Sequence, residues 1–178
     1  MYVTIQEPDK FCIQGGTMEQ DNLVPRYCSA KRALEYFSLA IPNSEKMPYL
    51  PYSEIKRINE TAHKMGHVMI KAFFEPTEIM YIKSVIDSNN IIDTFIHEDD
   101  DIYELLNRYD RLTAALDMVA DSMMFKFQCA EIKNVVNEVG KNLIASFFHE
   151  NEMKKINYIK QQDTITTPHY KEITLIKN

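Results

Sequence analysis

Apolar residues recur along most of this chain at three- and four-residue intervals, the spacing that places side chains on one face of an α-helix. Ala30, Ala33, Leu34, Phe37 and Ile41 predict a helix over about 30–41, capped by Ser29 and stopped by Pro42. Pro42, Pro48 and Pro51 then predict an extended connector from Pro42 to Tyr52. Ser53 is placed to cap a second helix whose seam is Ile55, Ile58, Ala62, Met65, Met69 and Ala72, ending or kinking at Glu75-Pro76. A third runs from Thr77 through Ile79, Ile82, Val85 and Ile86 towards Ser88, and the run 91–96 fits either helix or strand. The clearest rhythm is Ile102, Leu105, Tyr109, Leu112, Leu116, Val119 and Met123. After a break near Gln128, Ile132, Val136, Val139, Leu143 and Phe147 predict a last helix over 130–150.

The ends alternate instead. Residues 2–14 carry β-branched and aromatic residues on both sides of a Glu7-Pro8-Asp9-Lys10 turn, the pattern of a β-hairpin, with a loop over 17–28 after it. Tyr170–Ile176, following Pro168, reads as a strand. The predicted fold is therefore mainly α: a helical bundle of four to five helices over 29–152. A small antiparallel β element joins the hairpin (2–14) to the C-terminal strand (168–178), all in a single domain over 1–178. No internal repeat stands out by eye.

Composition narrows the class. The chain has 178 residues, 45% hydrophobic and 26% charged, enough to bury a core without staples. Its 20 basic against 26 acidic residues give a net charge of −6, which argues against a general nucleic-acid binder and is compatible with a basic protein partner. Met1–Lys10 does not read as a secretory signal, and no apolar run approaches a membrane span, so the expectation is no membrane and a cytoplasmic, reducing location. Cys12, Cys28 and Cys129 are odd in number and widely spaced, which points to reduced thiols. Four glycines, Gly15, Gly16, Gly66 and Gly140, exclude a P-loop or a dinucleotide fingerprint, and no cofactor is expected.

Three segments carry candidate chemistry. Glu60-x-x-His63-x-x-x-His67 has metal-like spacing, because His residues four apart on a helix share a face. Such a set needs a further ligand, a carboxylate or His149, from another helix. The run Glu98, Asp99, Asp100 and Asp101 after His97 suits a helix N-terminus and, as dense charge, also suits a basic partner. His149 is read near a helix C-terminus and Cys129 as a small buried hydrophobe. Tyr49, Leu50 and Tyr52 lie between prolines, pre-ordered for contact or packed onto the bundle. The leading functional expectation is a non-enzymatic binding protein acting on another protein as a regulator, inhibitor, immunity-type or adaptor protein. Its alternative is a metal-dependent enzyme or metalloprotein using Glu60, His63 and His67. A homodimer built from the seams 55–72 and 102–123 is compatible with either.

Overall fold

A computed structural model describes residues 18–47, 49–88 and 95–166. Six helices make up the described chain: α1 (Gln20–Ala40), α2 (Tyr52–Phe73), α3 (Pro76–Asp87), α4 (Ile102–Phe127), α5 (Ala130–Ala145) and α6 (Glu150–Thr166). No strand occurs among the described residues, and the predicted hairpin over 2–14 and strand over 168–178 both lie outside them. The bundle is as expected, with one helix more than the upper count. No helix of the described chain is long and apolar enough to cross a membrane.

Several boundaries differ from the periodicity, each for a local reason. Helix α1 starts at Gln20, ten residues before the expected start at Ala30, and carries Pro25 inside it. Proline costs a backbone hydrogen bond there, but Leu23, Val24 and Arg26 are buried, so tertiary packing outweighs local propensity. From Ile41 to Met47 the α1–α2 connector is two turns, Ser44 N–H to Ile41 O and Met47 N–H to Ser44 O, rather than extended as expected, whereas Pro51 at its end is extended (φ −60°, ψ 147°). Pro51, not Ser53, is the N-cap of α2; its carbonyl accepts from Glu54 and Ile55. The predicted 130–150 helix breaks at Ser146, and α6 begins with His149 as its cap residue, the carbonyl accepting from Met153 N–H. His149 thus stands at a helix N-terminus, opposite to expectation. The seams 55–72 and 102–123 pack on each other within one chain, which consumes the surfaces a seam-built dimer would need.

The chain does contain an internal repeat, contrary to its first appearance. In α1 and α4 a constant offset aligns Leu23 with Leu105, Arg26 with Arg108, Tyr27 with Tyr109, Ala33 with Ala115 and Leu34 with Leu116. A second constant offset aligns α2–α3 with α5–α6: Ile58 with Ile132, Gly66 with Gly140, Ile70 with Ile144, Phe73-Phe74 with Phe147-Phe148, Glu78 with Glu152 and Ile82 with Ile156. Burial follows the same register, with both isoleucines of the last pair at 0% exposure. The protein is a duplicated three-helix unit.

Each unit is tightened at one helix crossing. A Cβ on Gly66 would lie 2.0 Å from Leu34 Cδ1, and one on Gly140 would lie 2.2 Å from Leu116 Cδ1, so both glycines permit close approach of the preceding helix. The units are then locked together reciprocally. Arg26 of α1 donates to both Glu152 oxygens (2.8 and 2.6 Å) and to Phe147 O (2.8 Å), while Arg108 of α4 donates to both Glu78 oxygens (2.9 and 2.8 Å) and to Phe73 O (2.8 Å). Each glutamate also accepts from the N–H that opens its own helix, His149 N–H to Glu152 (2.7 Å) and Glu75 N–H to Glu78 (2.8 Å). Between the two clamps lies an aromatic centre, with Phe73 and Phe147 4.9 Å apart, Tyr27 on Phe74 (5.9 Å) and Tyr109 on Phe148 (6.1 Å). Exchanging the two units carries each of these contacts into its counterpart, so the arrangement is pseudo-twofold.

Candidate functional site

Duplication separates what the fold needs from what it does not. The joint α4–α5 is made by Gln128 and Cys129 alone, with Gln128 in the left-handed region (φ 50°). The equivalent joint α1–α2 spends the whole segment Ile41–Pro51 on the same task. Within it Ile41, Pro42 and Met47 are buried and Leu50 is half-buried against the core. Tyr49 is 100% exposed at φ 64°, a backbone conformation that costs a bulky residue roughly 1–2 kcal/mol. Tyr52, the first residue of α2, is 81% exposed. Within the segment, Asn43–Lys46 form one wall of an open groove of about 710 Å³ against α5, with Tyr36, Leu39 and Val139 among its other lining residues and the Lys46–Glu138 ion pair across it; Tyr49, Leu50 and Tyr52 do not line it.

The acidic run is used differently. Asp101 caps α4 by accepting from Glu104 N–H (3.1 Å), and Asp99 Oδ1 accepts from Asp101 N–H (2.9 Å). Asp99 N–H in turn donates to the buried Glu152 (2.6 Å), and Glu98 pairs with Lys155 (2.6 Å) and Asn151 (3.1 Å). Those two partners hold the Glu98 carboxyl below its usual range. Asn22 and Arg26 grip His97 O at 2.7 and 3.2 Å. Residues 97–101 therefore strap α6 and α1 to the start of α4, and of the four acids only Asp100 is left outside these bonds. The run opens α4, and Glu98, Asp99 and Asp101 each take part in the bonds above.

Of the metal-like set, two members meet. His63 Nε2 and His67 Nε2 are 3.3 Å apart with rings nearly perpendicular, on half-buried stretches of α2. Burial first, then Lys31 of α1, His63 and Lys71, lower the His67 pKa below its ordinary value. Glu60 is turned to Lys56 (3.9 Å). His149 lies elsewhere, in a cleft of about 310 Å³ with Cys28 and Arg32, its Nδ1 accepting from Asn151 N–H (3.3 Å). Among the described residues no three His, Cys, Asp or Glu side chains converge on one point, so the expected three- or four-ligand centre is not assembled. Cys129 is half-buried rather than buried and donates to Glu131 (3.3 Å).

A feature missed in the sequence is the crevice of about 550 Å³ between α4, α5 and α6, lined by Tyr109, Leu116, Asp117, Asn137, Lys141 and Ile144 among others. Among the described residues the buried Oδ1 of Asn137 meets no hydrogen-bond donor. Under the repeat, Asn137 and Lys141 are the counterparts of His63 and His67, and Tyr109, Thr113 and Asp117 those of Tyr27, Lys31 and Glu35. The recurrence of Arg-Tyr and of Phe-Phe-x-x-x-Glu was the signal that would have exposed these equivalences. Compared with known proteins, the chain matches no family model, no curated protein and no solved structure.

Proposed function

We propose that this chain is a non-enzymatic binding protein that docks on another protein through its α1–α2 connector. The observation that supports it is the redundancy of that connector: the second unit joins the same two helices with Gln128 and Cys129, whereas the first adds a segment that presents Tyr49 fully exposed on strained backbone. Strain held away from the core is characteristic of contact sites, and tyrosines supply large contact area at low entropic cost. The neighbouring groove over Tyr36, Leu39 and Val139 has room for one or two apolar side chains of the partner, and the net charge of −6 steers a basic-rimmed surface towards it.

The test places a photo-crosslinking amino acid at Tyr49, at Tyr52 and, as control, at Tyr103 on α4, which is 83% exposed. Irradiation in cells is followed by mass spectrometry of the adducts. The reading requires one protein captured from positions 49 and 52 and not from 103, and lost on Leu39→Glu. Capture of a second copy of the chain, equal capture from 103, or no capture at all would overturn it.

A further inference from the structure

We infer that His63 and His67 form a two-imidazole clamp for a divalent transition-metal ion of the zinc, nickel or copper class. This goes beyond the protein-docking reading and stands or falls separately from it. Two metal–nitrogen bonds of about 2.0–2.1 Å at a tetrahedral angle place the two nitrogens about 3.3–3.4 Å apart. The Nε2 atoms are 3.3 Å apart without any rearrangement. In the middle of a 22-residue helix, residues four apart share a face with their Cβ atoms about 5–6 Å apart, which lets both rings reach one ion. Imidazole suits these ions, and only its neutral form ligates.

Lys31 of α1 and Lys71, whose charges act on His67, also repel a dication, which keeps the clamp a moderate binder, with water supplying the remaining ligands. Glu60, one turn earlier on the same face, is turned to the exposed Lys56 (3.9 Å) and is not counted as a ligand. The second unit carries Asn137 and Lys141 at these two positions, so its crevice lacks the clamp. The expected count is accordingly one ion per chain.

The test titrates Zn2+ and Ni2+ into the full chain at pH 8 by calorimetry, with the histidine side-chain signals followed by NMR. Binding of one ion per chain is expected, with the His63 and His67 signals shifting together. His63→Ala and His67→Ala should each weaken it at least tenfold without changing the helical circular dichroism. Lys31→Thr, which copies Thr113 of the second unit, should tighten it severalfold, an effect no structural role of the histidines produces. An ion bound equally well by the His63→Ala/His67→Ala double variant, or no ion bound below millimolar concentration, would overturn the assignment.

Discussion

Glu152 makes four hydrogen bonds: two from Arg26 and one each from the N–H groups of Asp99 and His149. Both partners of the ion pair are at 0% exposure, and among the described residues no other carboxylate pairs with Arg26, whose Nε also meets no acceptor there. Removing the carboxylate leaves a buried guanidinium uncompensated, so Glu152→Ala should lower stability by about 3–5 kcal/mol in urea melts. The pseudo-equivalent Glu78→Ala should cost less, about 1–3 kcal/mol, because Arg108 keeps Glu104 at 2.7 Å and Glu78 is partly exposed. Equal losses would mean that Glu104 contributes nothing to Arg108. The difference traces to one residue: the position that is Glu104 beside Arg108 is Asn22 beside Arg26, and Asn22 is turned to the main chain of His97. Neither pairing was legible in the sequence, since a buried arginine looks like any surface arginine until its partner, 126 residues away, is known.

At the scale of elements, periodicity found α2, α3, α4 and α5 because each carries apolar residues at helical spacing. It missed α6 because Glu150–Thr166 is mostly polar, with Met153, Ile156, Tyr158, Ile159 and Ile165 scattered among charged and amide side chains. The first turns of α1 escaped for a related reason: they bury Asn22 and Arg26, polar residues that a hydrophobic pattern cannot score. Gly66 and Gly140, which in the sequence serve only to exclude nucleotide-binding loops, set the helix crossings. Gly140→Ala should destabilise, because the new methyl meets Leu116 at 2.2, 2.7 and 3.0 Å. Overpacking of this kind costs about 1–3 kcal/mol, against about 1 kcal/mol gained in helix propensity. Gly66→Ala meets one atom of Leu34 closely, the next at 3.5 Å, and should cost less. Placing Gly140→Ala in a Leu116→Ala background removes the clash and leaves the propensity, so the sign of the effect should reverse. A thermal melt that shows the same loss in both backgrounds would refute the close-approach account.

On the scale of the whole molecule, duplication explains why two halves of modest size make one body. Each half contributes an arginine to the other's helix start, Arg26 to Glu152 and Arg108 to Glu78, and the phenylalanines of both joints share one aromatic centre. Neither half can satisfy its own clamp alone: a first unit without α6 leaves Arg26 buried and unpaired, and a second without α3 strips Arg108 of its bidentate partner. Unfolding should therefore be a single cooperative step. The chain has no Trp and 10 Tyr, and Tyr27 and Tyr109 occupy equivalent places, so each half carries its own probe against a phenylalanine. Tyr27→Phe and Tyr109→Phe variants, followed by near-ultraviolet circular dichroism in urea, should give coincident midpoints that also match the far-ultraviolet signal. The fragment 18–88 should lack a cooperative transition alone and regain one when mixed with 95–166, because the cross-clamps then close. Two separated midpoints, or a cooperative fragment, would show that the units fold independently and that the reciprocal arginines join finished domains rather than complete unfinished ones.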